Sequence, residues 1–321
     1  MKRTVLNSLC PIILALFVML TSCISSQSFM PVKGDGMSVD KNFSVAVFHS
    51  IDVSGGFDVI LVQGNSEDLT LTAQENLFDY ITVKVDQGVL KIYTDNNIMA
   101  TKPLKARISF KSIGNLKVSG GGDVICETPV NVPNLDVNIS GGGDFSTMIN
   151  TDELKCHISG GGDAKIEGNI KNYNLDLSGG GNLKSIVDAN VIYCNISGGG
   201  DFVLKGTEKA ADANIIGNGG GDITLELNVE KLKCSVSGGG DATLTGQASN
   251  LDISISGGGD AIAGNFSTGT ASFHASGGSD IHVNVSKELT GYISGGGDVY
   301  YSGNPTSVSI DAKGGSEVHK Q

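Results

Sequence analysis

Tryptophan is absent from this chain of 321 residues, and arginine occurs only at Arg3 and Arg107. Aromatic residues make up 6% of the composition, so platforms for sugar rings are scarce, with Tyr193, Tyr292 and Tyr300 the candidates at outward positions. A polysaccharide lyase or hydrolase needs such platforms, a strong base and acids in unlike surroundings, and these shortages argue against one. Basic charge is also short. Formal net charge is −12, and setting aside residues 1–22, which hold two basic groups and no acidic one, leaves −14. No basic face is available for nucleic acid or anionic lipid, so no nucleic-acid partner is expected, and multivalent cations suit the charge better.

Only one long hydrophobic run exists, residues 9–20 (LCPIILALFVML), too short to span a bilayer comfortably. It follows Lys2 and Arg3 and leads into Leu20-Thr21-Ser22-Cys23, which resembles a bacterial lipobox. That resemblance implies cleavage before Cys23, lipidation of Cys23 and attachment to a membrane; an ordinary secretory signal is the alternative. Residues 1–22 thus read as a lipoprotein signal peptide and residues 23–43 as a flexible tether. The expected location is the cell envelope at the outer membrane. No acidic run follows Cys23 to choose a leaflet.

Glycine is what the chain has in excess, 46 residues, many of them periodic. The phrase SGGGD or a near copy ends at Asp123, Asp144, Asp163, Asn182, Asp201, Asp222, Asp241, Asp260, Asp280 and Asp298, and as KGGSE at Glu317. Successive spacings run from 18 to 21 residues. A period near 19 is one coil of a repeat architecture. Seven places before the acidic residue stand Leu116, Val137, Cys156, Leu175, Cys194 and Cys234; five before, Val118, Ile139, Ile158 and Ile196; polar groups lie between. One place after it come Val124, Phe145, Phe202 and Ile223, and alternation resumes. This is the pattern of half-buried strands on both sides of a glycine corner. A looser third side turns at Thr128-Pro129, Gly168-Asn169 and Gly246-Gln247. The pattern predicts an all-β chain, a parallel β-helix over residues 113–321 with coils about 4.8 Å apart. Three glycines at each corner suggest that every one is needed, the middle one included, at a cost of about 1 kcal/mol or more if replaced.

Stacked carboxylates at that separation repel by roughly 0.9 kcal/mol per neighbour in water and about 3.5 kcal/mol at an effective dielectric of 20. Two arrangements offset this. Each Asp caps its own glycine turn by accepting backbone N–H groups, or a column of calcium ions sits between coils. The period does not match the nine-residue calcium-binding β-roll repeat, and Asn182 fits either arrangement. Calcium is the one cofactor considered.

Cys156, Cys194 and Cys234 share an inward position two coils apart, nearly 10 Å, beyond disulfide reach. With Cys126 they read as core thiols. His157 and His274 share an outward position, and His282 lies across the corner; they read as surface histidines.

Residues 44–112 are less regular. Ile51-Asp52-Val53-Ser54-Gly55-Gly56-Phe57-Asp58 is an imperfect early corner, Glu75 to Ile81 suggests one helical turn, and Asp86-Gln87-Gly88 a hairpin. This section is expected to contain antiparallel hairpins and to cap one end of the rod. The phrases IDVSGGFDVILVQG, ENLFDYI and GVLKIYT, followed by repeated SGGGD, resemble the family "putative auto-transporter adhesin, head GIN domain", common among lipoproteins of Bacteroidota. The resemblance spans about residues 45–318. It implies a right-handed β-helix in two sections and an adhesin role, with no catalytic residues to carry over. Three functions follow, in order of preference: a non-catalytic adhesin that binds a glycan or protein at the cell surface, a periplasmic scaffold, and a polysaccharide-acting enzyme. The corner line from Asp123 to Asp298 is the expected binding face.

Overall fold

Alternating apolar and polar side chains place one face of each strand in a core and the other in water, and the recurring corner forces the chain to wind. The structure, a computed structural model, describes residues 31–94 and 98–321, apart from the side chain of Thr207. It is a parallel β-helix of about 11 turns with a spacing near 19 residues, preceded by antiparallel strands. Equivalent positions stack in register: Leu116, Val137, Cys156, Leu175, Cys194, Ile215, Cys234, Ile253 and Phe273 form one inward column. A single apolar core runs from Phe48 to Val299. Each Leu, Ile or Phe buried there contributes about 1.5–3 kcal/mol. Tyr173 is enclosed in it, its hydroxyl 2.8 Å from Ser185 Oγ, which keeps both polar groups satisfied.

In chain order the first elements are β1 (Val32–Lys33), β2 (Ser38–Phe43), β3 (Ser50–Ser54), β4 (Phe57–Gln63) and β5 (Asp68–Gln74). A 3-10 helix spans Glu75–Tyr80. Then come β6 (Ile81–Asp86), β7 (Val89–Thr94), β8 (Ile98–Met99), β9 (Leu104–Phe110), β10 (Asn115–Gly120) and β11 (Val124–Cys126). The hairpin β6–β7 turns at Gln87 and Gly88, both with positive φ (50° and 75°), as a tight two-residue connection requires.

Two expectations about the N-terminal part change. First, β3 and β4 are parallel partners of β10 and β11, so residues 50–63 are a coil of the rod, and no break falls at residue 112. On their other side lie β7 and β9, also parallel, so a later stretch of chain forms the coil outside an earlier one. Antiparallel β5 then covers β9, and β2 covers β5. Second, the flexible tether expected over residues 23–43 ends earlier, because residues 32–43 are structured. Without β2 the outer edge of β5 would have unpaired backbone groups. Thr70 and Thr72 bond Asn42 and Asp40 across that pair, at 2.8 and 2.6 Å. Buried Gln74 donates to Gly36 O and accepts from Thr101, and Asn76 clasps Lys33 and Asp35.

The third side of the rod is more regular than expected. From the corner ending at Asp144, one strand runs unbroken over Phe145–Gly160, through the third side to the next corner. Gly168 and Gly246, at the predicted turns, have φ of 126° and 113°.

Candidate functional site

The corner places its acidic side chains in a continuous column, and each is engaged by the coil that follows. Asp144 N–H donates to Asp123 Oδ1, Asp163 to Asp144, Asn182 to Asp163, Asp201 to Asn182, Asp222 to Asp201 and Asp241 to Asp222, at 2.8–3.0 Å. The column continues through Asp260, Asp280, Asp298 and Glu317 at 2.7–2.8 Å. It begins one coil earlier than the repeat suggested, since Asp123 N–H donates to Asp58 Oδ1 at 3.2 Å. The donor therefore belongs to the next coil, where the sequence had suggested the residue's own corner. A hydrogen bond to a charged acceptor contributes about 1.5–3 kcal/mol, of the same order as the repulsion between neighbouring carboxylates. Asn182 offers an amide oxygen in the same place.

Corner carbonyls are likewise used. Leu183 N–H donates to Asp201 O at 2.9 Å, and Gly199 N–H to Gly179 O at 3.1 Å. Calcium takes roughly six to eight oxygens free to ligate, whereas Oδ1 of each rung and these carbonyls already accept N–H groups. Among the described residues no group of three or more His, Cys, Asp or Glu side chains is placed to hold a metal ion. One oxygen of each rung is thus committed to holding the next coil.

The glycines divide differently from expectation. At the corner 198–200, Gly198 has φ of 138°, and a side chain on it would overlap the carbonyl of Gly179; one on Gly200 would overlap Gly181 O. The middle residue, Gly199, faces open space, so nothing in the structure demands glycine there. The third position carries Ser at Ser279 and Ser316, in the last coils of the rod.

Away from the corner, an open groove of about 680 Å³ crosses six successive coils, from Val191 and Tyr193 to Glu288 and Thr290. Six coils span roughly 24 Å. Its two walls are the outward residues either side of an inward position that holds Ile192, Ala213, Leu232, Leu251 and Ala271. Tyr193, 38% exposed, stands at one end. Beside it, Asn214 Oδ1 is buried without a hydrogen-bond partner. The sequence marked Tyr193 as outward but gave no sign that its neighbours formed a concavity.

Two further ring columns flank the last corners. His274 stacks on Tyr292 at 5.1 Å between centroids, and Lys313 lies over Tyr292 at 5.3 Å. His282, Tyr300 and His319 stack at 4.6 and 5.0 Å. His157 instead meets Asp176 at 3.0 Å. Cys156, Cys194 and Cys234 are buried free thiols, and Cys126 is half-buried. Burial pushes the Cys234 thiol up to about 12 and raises those of Cys156 and Cys194 as well, which removes the nucleophilic thiolate. Arg107 is paired with Glu127 at 2.7 Å. Cys23, the expected lipidation site, lies outside the described residues, and among those described no helix is long and apolar enough to cross a membrane.

Fold and corner together define a repetitive parallel β-solenoid with an acidic hydrogen-bond column. The chain belongs to the family described as "putative auto-transporter adhesin, head GIN domain", which matches residues 47–209 and 186–305. Among solved structures it is similar to a putative adhesin from Parabacteroides merdae, with 21% identity, a TM-score of 0.42, and coverage of 90% of this chain and 98% of that one. A putative lipid binding protein from Parabacteroides distasonis matches with 21% identity, a TM-score of 0.38, and coverage of 90% and 99%. A putative adhesin from Bacteroides fragilis matches with 18% identity, a TM-score of 0.32, and coverage of 90% and 100%. No curated protein matches the chain.

Proposed function

We propose that the protein is a non-catalytic, adhesin-type rod of the cell envelope, held in the outer membrane by lipid on Cys23, that binds its ligand along the flank. The observation that carries this reading is the groove across six coils, with the exposed ring of Tyr193 at its head. The corner acids support the non-catalytic part: acid–base chemistry needs two carboxyl groups in unlike environments, and the column repeats one environment.

Anchoring at Cys23 also orients the rod. Residues 24–31 reach at most about 28 Å when fully extended, and the chain then enters β1 and β2, which are clasped to the capped end. The capped end stays near the leaflet, and the ring columns around Tyr292 and Tyr300 stand farthest from it. Residues 1–22 act as the signal peptide and 23–31 as the tether.

The test has two arms. Cells expressing the full chain or Cys23→Ser are fed an alkyne fatty acid, and intact cells are treated with protease. Label on the parent but not on Cys23→Ser, with protease cleavage on intact cells, is the expected result. Label on both proteins, or on neither, overturns the anchor. Full protection on intact cells places the rod in the periplasm as a scaffold.

A further inference from the structure

We infer that the flank groove is a binding site for a neutral polysaccharide chain lying parallel to the rod axis, with Tyr193 stacking on a sugar ring. The inference rests on the flank-binding reading above and adds the chemistry of the ligand.

Charge comes first. The groove holds both its lysines, Lys231 and Lys233, in one coil, with Asp212 one coil before and Asp252 and Glu288 beyond, so neither sign runs its length. A polyanion meets carboxylates on both sides of the lysines, and a polycation meets the lysines in the middle. A polyhydroxylated neutral chain finds both donors and acceptors, which is what its hydroxyl groups require. Peptide fits less well, since peptides that bind sheets add to an open edge through main-chain bonds. Here the strands beneath the groove are interior to the stack and paired on both sides.

Shape points the same way. The groove is a trough about as long as several sugar units and open along its length. Tyr193 is the exposed aromatic ring at its head, and Asn250, Thr270, Ser272 and Thr290 offer neutral amide and hydroxyl groups along it.

The test is affinity electrophoresis and titration calorimetry of the full chain in detergent. The probes are mannan, laminarin, xylan and dextran as neutral arms, polygalacturonate and heparin as acidic arms, and an unrelated acidic peptide. The expected result is retention by at least one neutral polymer, insensitive to salt. Tyr193→Ala weakens it by about tenfold or more and Tyr193→Phe preserves it. Wild-type circular dichroism in both variants shows that the loss is not one of folding. Binding confined to the acidic polymers and steeply salt-dependent, binding to the peptide alone, equal affinity of Tyr193→Ala and parent, or no retention by any neutral polymer overturns the inference. None of these outcomes bears on lipid anchoring, which the labelling experiment decides separately.

Discussion

The rod and its N-terminal end pair their strands by different rules. From β10 onward, each coil lies on the one just before it in the chain, always parallel and in register at the corners, with local shifts on the third side in the later coils. At the N-terminal end the order is broken, because β7 and β9 stack outside β3 and β4 although they follow them in sequence, and β5, β2 and β6 close the faces antiparallel. A solenoid coil cannot satisfy its outer edge alone, and repeat arrays need atypical terminal units. The antiparallel strands do this for one end, with exposed Asp40 and Lys41 on the outermost strand. In the rod, stability comes from identity of coils; at the end, it comes from a change of rule.

Four substitutions and one labelling experiment sharpen that contrast, with Gly199→Ala set beside Gly198→Ala as its control. Gly198→Ala forces a side chain into the Gly179 carbonyl at positive φ, and a loss of about 4 kcal/mol or more, or failure to fold, is expected on chemical denaturation. Gly199→Ala in the same corner should stay within about 0.5 kcal/mol of the parent; equal losses in both would show that the coils stack otherwise. Gln74→Ala, which leaves the Thr101 N–H and the Gly36 carbonyl without their partner, should cost about 1–3 kcal/mol. Because it loosens only the cap, it should raise self-association seen by light scattering, and a strictly monomeric variant would argue against edge protection. Asp201→Ala, in the rod, should cost about 1–3 kcal/mol by stranding the Asp222 N–H. Smallest in stability terms is thiol reactivity. Iodoacetamide at pH 8 should spare Cys156, Cys194 and Cys234 in the native chain, since burial keeps them protonated, and label them once denatured, as read by mass spectrometry.

The same contrast explains what the sequence revealed. Corners from Asp123 to Glu317 were legible because one alternation recurs every 19 residues or so, and register follows once a single coil is placed. Asp58 was seen as an imperfect corner but not as the first rung, because 65 residues separate it from Asp123 and the strands between belong elsewhere. β2 was missed because Ser38–Phe43 is polar at most positions, being a covering edge with little to bury. The need for glycine at Gly198 but not at Gly199 depends on how closely two backbones approach, which no single coil records. Likewise the groove depends on how the outward side chains of six coils stand beside one another, which the alternation within one coil does not record.

The acidic column is held by hydrogen bonds between coils. Thermal unfolding of the parent, Asp201→Asn and Asp201→Ala, each with EGTA and with millimolar calcium, tests it directly. An amide oxygen serves the column at Asn182, so Asp201→Asn should melt with the parent, while Asp201→Ala melts lower by several degrees, at about 2–4 °C per kcal/mol. Calcium should shift none of them. Equal losses in Asp201→Asn and Asp201→Ala, together with a large calcium-dependent rise in the parent alone, would contradict the claim and make the column a metal site.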